Sequence, residues 1–276
     1  MRNHRSIDPE VRPGDLWILS WDNKFLGLAL IAAVKQGYVL AWPVTLAGEP
    51  RYAPALVVED SPLGASLAVW PSREVGLGNH LLHRSLGPMI GADRIQPIAW
   101  AMEDGADPGL PFAEGAANDE ANRAHDEQFL ARWSDICFHT WPTKAMQVLS
   151  SEKIRRLGGS ASAIAKTLGL ESPAVARPLW TGVLAITEAQ AETAARSLGV
   201  DVPDVLGEDP FADVVARMTH PKFKAAVEQV AQTNQMTEGQ VRDAARCEFA
   251  LAARDDARGV SAQKLLDAIA RVGMGS

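Results

Sequence analysis

Ser160-Ala161-Ser162-Ala163-Ile164-Ala165-Lys166-Thr167-Leu168-Gly169-Leu170-Glu171-Ser172-Pro173-Ala174-Val175-Ala176 decides how the second half of this chain folds. Two short helices that cross at a steep angle need a small residue where they touch, a glycine in the turn and an apolar anchor in the second helix. Ala165, Gly169 and Val175 are the residues expected in those roles, with Ile164, Leu168 and Leu170 as further core contacts. Ser172-Pro173 opens the second helix, because proline is tolerated at a first helical position. Pro178 is expected to end that helix near Ala176 or to kink it, since proline brings no N–H and crowds the preceding turn.

Reading outward, Trp180-Thr181-Gly182 leads through Thr187 into Ala189–Leu198 and then Gly199-Val200-Asp201-Val202-Pro203-Asp204-Val205-Leu206. Over about residues 145–206 this order resembles the XRE-type family of bacterial and phage DNA-binding regulators. The resemblance implies a compact bundle of about five helices, frequent homodimerisation and a second motif helix lying in the major groove of double-stranded DNA. On that helix Arg177 suits a bidentate guanine contact and Ser172 a phosphate or base edge. Lys166, Lys153, Arg155 and Arg156 are placed to meet the phosphate backbone. The same residues also fit a helical bundle that merely shares this packing grammar.

From Thr143 onward only helices are expected, over about 144–157, 161–168, 172–176, 187–198, 210–218, 221–233, 237–253 and 261–272. Thr187, Thr237 and Ser261 are start signals, and Gly158, Gly169, Gly199 and Gly273 sit where helix ends are expected. Val227, Val230 and Ala231, then Val241, Ala244, Ala245, Phe249 and Ala252, form apolar faces at helical spacing. They serve equally an intramolecular bundle or a dimer interface.

Toward the N-terminus, short β-type runs punctuated by glycine and proline predict a small antiparallel barrel between Val11 and Ile98. The expected strands are Asp15–Ser20, Leu26–Val34, Tyr38–Val44, Ala55–Glu59 and Ser66–Trp70. Seven of the eight tryptophans (17, 21, 42, 70, 100, 133 and 141) fall in the first 141 residues and are read chiefly as core volume, with a base-stacking platform as the functional alternative. Pro13-Gly14-Asp15-Leu16-Trp17-Ile18-Leu19, Gly27-Leu28-Ala29-Leu30-Ile31 and Tyr38-Val39-Leu40-Ala41-Trp42-Pro43-Val44-Thr45 together look like the opening of MazF-type barrels. That resemblance implies a dimeric relative of RNA-cleaving toxins. The cation such enzymes carry before the second strand is missing, since Phe25-Leu26-Gly27 stands there. Thr45 keeps the family's polar position, and a degenerate or sensory barrel is expected.

Between the halves, Glu103, Asp104, Asp107, Glu114, Asp119, Glu120, Asp126 and Glu127 alternate with Gly, Pro, Ala and Asn, which predicts a mobile linker. The expected fold is α+β: a β-barrel over 1–100, an acidic flexible linker over 101–128, a helix-turn-helix-like domain over 129–206 and a C-terminal helical domain over 207–276. Phe129–His139 is read as an amphipathic helix before Trp141-Pro142.

The net charge of −7 opposes indiscriminate coating of nucleic acid. Residues 1–150 hold 18 acidic against 12 basic side chains, whereas 151–276 hold 16 against 15, so a basic face is available in the second half. The opening Met1-Arg2-Asn3-His4-Arg5 leads into no apolar signal core, and no run suits a membrane span, so a cytoplasmic protein is expected. Two cysteines, Cys137 and Cys247, are too few for a disulfide framework. His80-x-x-His83 and Cys137-x-His139 have ligand types that suit zinc but no confirming partner, and Glu74 and Asp93 read as solvated charges. No cofactor and no metal are expected. The leading expectation is a sequence-specific transcriptional regulator whose barrel senses a small effector or partner. An endoribonuclease-like barrel and a protein-interaction adaptor stay open.

Overall fold

The computed structural model describes residues 10–138, 146–253 and 260–274, without the side chains of Pro173 and Ala174. The readings of the first nine residues, His139, Trp141-Pro142 and the start of the helix expected from 144 lie outside the described residues. The chain divides into two units, Met1–Trp141 with Thr219–Glu228, and Pro142–Met218 with Gln229–Ser276.

In the first unit, β1 (Asp15–Trp21), β2 (Lys24–Val34), β3 (Tyr38–Thr45), β4 (Leu56–Val58), β5 (Leu67–Val69), β6 (Val75–Gly78) and β7 (Leu82–Pro88) precede α1 (Ala92–Asp104) and α2 (Glu120–Phe138). The strands form one antiparallel sheet in the order β4-β5-β3-β2-β1-β7, with β6 also paired to β3. It is a curled half-barrel. Its strand path runs from β4 to β7 without closing, which departs from the closed barrel expected. Asp22 and Asn23 take positive φ (49° and 60°) in the two-residue β1–β2 turn, the backbone that lets a tight hairpin follow the twist of its strands.

Neighbouring residues of one strand bury on opposite faces. Leu16, Leu28, Leu30, Trp42 and Val44 pack with Ile95 and Ile98 of α1. Trp17, Leu19, Ala29, Ile31 and Ala41 pack with Trp133 and Ile136 of α2. A sheet buried on both faces requires a cover on each, and the two helices supply it.

The stretch read as a mobile linker is therefore structured over most of its length. Two of its acidic residues act as acceptors: the Asp119 carboxylate takes the Ala116 N–H at 2.8 Å, and Asp126 takes both the Tyr52 hydroxyl and Arg73. Pro111–Ala113 also bonds to the backbone of Ala55 and Val57. Trp17, Trp42, Trp70 and Trp133 are buried as core, while Trp100 stays exposed.

In the second unit, β8 (Val148–Leu149) and β9 (Leu206–Gly207) pair and bracket α3 (Ser151–Arg156), α4 (Ala161–Thr167), α5 (Pro173–Trp180), α6 (Glu188–Leu198) and α7 (Val202–Val205). Then follow α8 (Ala212–Arg217), α9 (Lys224–Asn234), which begins among the residues of the first unit, α10 (Glu238–Ala252) and α11 (Ala262–Met274). The helix expected over 144–157 is confined to Ser151–Arg156, because Val148-Leu149 is drawn into the ladder with β9. Thr187 and Thr237 both build capping boxes, with Gln190 and Gln240 respectively. The core of α3–α7 is Ile154, Ile164, Leu179, Trp180, Ala191, Ala194, Ala195 and Val205.

Candidate functional site

Local hydrogen bonds build the paired helices α4 and α5. Ser160 Oγ accepts the Ala163 N–H at 3.2 Å and starts α4. Gly169, at φ 66°, closes it: its N–H donates to Lys166 O, and the Leu170 N–H reaches Ala165 O at 2.9 Å. The Ser172 carbonyl accepts from Val175 and Ala176 and starts α5. The helix then continues through Pro178 to Trp180, four residues beyond the stop expected near Ala176. A proline at the sixth helical position forfeits a single ladder bond, and Leu179 and Trp180 are buried in compensation.

This corrects the anchor assignment. Val175 is 42% exposed, and Leu179 and Trp180 hold α5 to the core instead. Val175 and Arg177 are each exposed on α5.

The six cations and hydroxyls singled out in the sequence divide into two groups. Arg177 and Lys166 are exposed and take part in no ion pair among the described residues, while Ser172 is exposed at the start of α5. Lys153, Arg155 and Arg156 are engaged within the unit. Arg155 lies 5.5 Å from the centre of the Trp180 ring, Arg156 pairs with Glu152 one turn away, and Lys153 Nζ donates to Pro203 O at 3.1 Å. Arg155 therefore braces the buried end of α5.

In the first unit, a guanidinium from α2 reaches the start of the second strand. Arg132 of α2 donates through Nε and Nη2 to Leu26 O at 3.2 and 2.9 Å and pairs with Glu49 at 2.9 Å. A Cβ on Gly27 would stand 3.2 Å from that guanidinium, so the absent side chain leaves room for it. Arg132, Thr45, Tyr52 and His125 line a cleft of about 170 Å³. Thr45 itself is buried and accepts the Trp70 indole N–H at 3.3 Å.

Beside the cleft, Tyr52 donates to Asp126 at 2.8 Å, and Arg73 reaches the same oxygen at 2.5 Å while lying 5.5 Å from the ring centres of Trp70 and Phe129. Burial, reinforced by the bond to Asp126, pushes the Tyr52 phenol up to about 12. The folded chain holds this proton to higher pH than the unfolded chain, so the phenol's contribution is whole below about pH 10 and is lost as pH rises through about 12. An ultraviolet titration of the two tyrosines is expected to show a late phase centred near 12 that disappears in Tyr52→Phe. A single phase unchanged by that substitution would contradict the assignment.

A second polar cluster was invisible in the sequence. Ser20 Oγ donates to Glu228 Oε1 at 2.9 Å, and His83 Nδ1 stands 3.0 Å from the same oxygen and 3.2 Å from Ser20 Oγ. Buried Lys224 donates to Ser20 O at 2.9 Å and to His80 O at 3.0 Å, and its ammonium lies 3.8 Å from Glu228 and 5.3 Å from the centre of the Trp21 ring. A serine nucleophile relay uses one imidazole nitrogen for the hydroxyl and the other for the carboxylate. Here a single nitrogen faces both, so the cluster is an anchor for residues 219–228 and not a catalytic relay. The i,i+4 spacing of Lys224 and Glu228 is the usual mark of a solvated pair, and the sequence offers no sign that both are buried.

His80 is also buried, with its ring edge against Trp21 at 5.1 Å. Glu74 accepts the Trp42 indole N–H at 3.2 Å and is thus more than a solvated charge. Among the described residues no group of three or more His, Cys, Asp or Glu is placed to hold a metal ion. Burial raises the thiol pKa of both Cys137 and Cys247, away from the reactive thiolate. No described helix is long and apolar enough to cross a membrane.

No family model and no curated protein matches the chain. The residues and their geometry therefore carry the functional argument.

Proposed function

We propose that the chain is a sequence-specific DNA-binding regulator that reads DNA with α5, its N-terminal half-barrel serving as a sensor or partner-binding unit. One observation carries this reading: Arg177 projects to solvent from a helix whose next residues, Pro178 to Trp180, are buried, and α5 is joined to α4 by the glycine turn. A guanidinium presented from a rigid helix is the side chain best suited to a guanine edge. Lys166 supplies a backbone contact, and Ser172, at the first turn of α5, a phosphate or base-edge contact. Arg156 and Lys153 contribute less, because each already has a partner in the protein.

Fluorescence anisotropy of the full chain on duplex from upstream of its own gene, beside a scrambled duplex and a salt series, tests the proposal. Arg177→Ala is expected to weaken specific binding by about 1–3 kcal/mol, roughly 5- to 150-fold, and to narrow the gap between the two duplexes. Unchanged specific affinity in that variant would sink the reading.

A second reading, an RNA-cleaving or RNA-binding barrel, draws support from Arg132 at Leu26 and Gly27, where the resemblance lacked a cation. An RNA oligonucleotide in the same titration separates the two: binding or cleavage lost with Arg132→Ala but untouched by Arg177→Ala favours the barrel.

A further inference from the structure

A cavity of about 400 Å³ opens in the second unit between α8, the far end of α10 and α11. Its floor is apolar. Phe211 and Phe249 meet edge to face with ring centres 6.3 Å apart, and Val214 and Val260 extend the surface. Behind Phe211 lies the buried Arg246, whose charge is committed to Asp209 and Val183 O, so no free charge enters the floor from that side.

The rim has a different character. Among the described residues it holds two acids, Asp213 and Asp267, and two bases, Lys264 and Arg271. Arg271 pairs with Glu248 through Nε at 3.4 Å, an ion pair whose side chains are 37% and 39% exposed. Asp267 accepts from Gln263 on Oδ1, and Asp213 has no ion pair or side-chain hydrogen bond among the described residues. Charge of both signs thus stands around a floor of aromatic edges.

Cavities of this volume suit small molecules, which are gripped by an apolar wall and oriented by a few convergent polar groups. A simple carboxylate would leave the acids of the rim facing it, and a simple amine would do the same with the bases. An amphoteric molecule satisfies both. From this combination we infer that the cavity binds a free α-amino acid with an aromatic or large aliphatic side chain. Its side chain lies against Phe211 and Phe249, its carboxylate against Arg271 and its ammonium against Asp213 or Asp267. The site stands on its own geometry and does not depend on whether α5 reads DNA.

Isothermal titration calorimetry of the full chain with L-phenylalanine, 3-phenylpropanoate, phenethylamine and glycine tests it. L-phenylalanine is expected to bind once per chain, each singly charged analogue at least tenfold more weakly, and glycine without detectable heat. Arg271→Gln is expected to raise the Kd for L-phenylalanine and for 3-phenylpropanoate at least tenfold while leaving phenethylamine unchanged. Asp213→Asn with Asp267→Asn is expected to do the converse. Both variants alter rim side chains, and circular dichroism checks that they remain folded. Absence of binding by all four compounds, equal affinity for the three aromatic ones, or wild-type affinity in both variants would overturn the inference.

Discussion

Replacing Arg246 with alanine is expected to lower the stability of the second unit by about 3–5 kcal/mol, the range for removing one partner of a buried ion pair. Arg246 and Asp209 are almost wholly inaccessible. The guanidinium meets the carboxylate through two nitrogens, Nε at 3.0 Å to Oδ2 and Nη2 to Oδ1, while Nη1 donates to Val183 O at 2.6 Å. Truncation leaves the Asp209 carboxylate with the Phe211 N–H at 2.9 Å and without its countercharge. It also leaves the Val183 carbonyl without this donor. The cost arises from stranding these groups and not from the worth of the pair against water. Substituting both partners by apolar residues of similar volume is accordingly expected to recover most of the loss. Urea denaturation followed by circular dichroism measures both variants, and a loss below about 1 kcal/mol for Arg246→Ala would show that the pair is not buried in solution.

Lys224→Met is expected to destabilise the first unit by about 3 kcal/mol, since methionine keeps much of the apolar stem and removes the ammonium. Two carbonyls, Ser20 O and His80 O, lose their donor, and Glu228 loses its nearest cation. Arg156→Ala serves as the contrasting case. It breaks an i,i+4 pair of the same kind, Glu152 with Arg156, in which both side chains are 74% exposed. Its effect is expected to stay within about 0.5 kcal/mol, because water and side-chain entropy cancel most of an exposed pair. Similar losses for the two substitutions would contradict the burial of Lys224.

Much of this architecture was legible in the residues. Strands β1, β2 and β3 and the starts of α6 and α10 follow from apolar runs, turn residues and threonine caps, all of them local signals. Of the covering helices, the second half of α2 follows from the amphipathic pattern over Phe129–His139, whereas its first half lies among acidic residues that suggest solvent and α1 lies largely in the range expected to be barrel. The sign that a cover was needed lay in β2 instead: Leu28-Ala29-Leu30-Ile31 is continuously apolar, as a strand buried on both faces must be, and does not alternate. Strands β6 and β7, with Gly76, Gly78 and Gly87, carry too little β-branched character to be recognised without their partners. In the candidate interface, Arg177 and Lys166 are exposed. The engagement of Arg155 by Trp180 was not foreseeable, since α3 and α5 are joined only by packing. The Ser20–His83–Glu228–Lys224 cluster joins residues up to 208 positions apart, and no pattern along the chain encodes such a meeting.

The order in which the chain is synthesised gives Thr219–Glu228 a consequence for how the protein is made. The sheet, α1 and α2 leave the ribosome first, yet Ser20, His80 and His83 must wait for Lys224 and Glu228, which emerge on the order of ten seconds later at ordinary translation rates. During that interval the nascent first unit presents a hydroxyl, an imidazole and two carbonyls to water. A gene cut after Trp141 would make this temporary vacancy permanent. Any attempt to express the half-barrel alone, whether by a laboratory or by gene fission, therefore has to carry residues 219–228 with it.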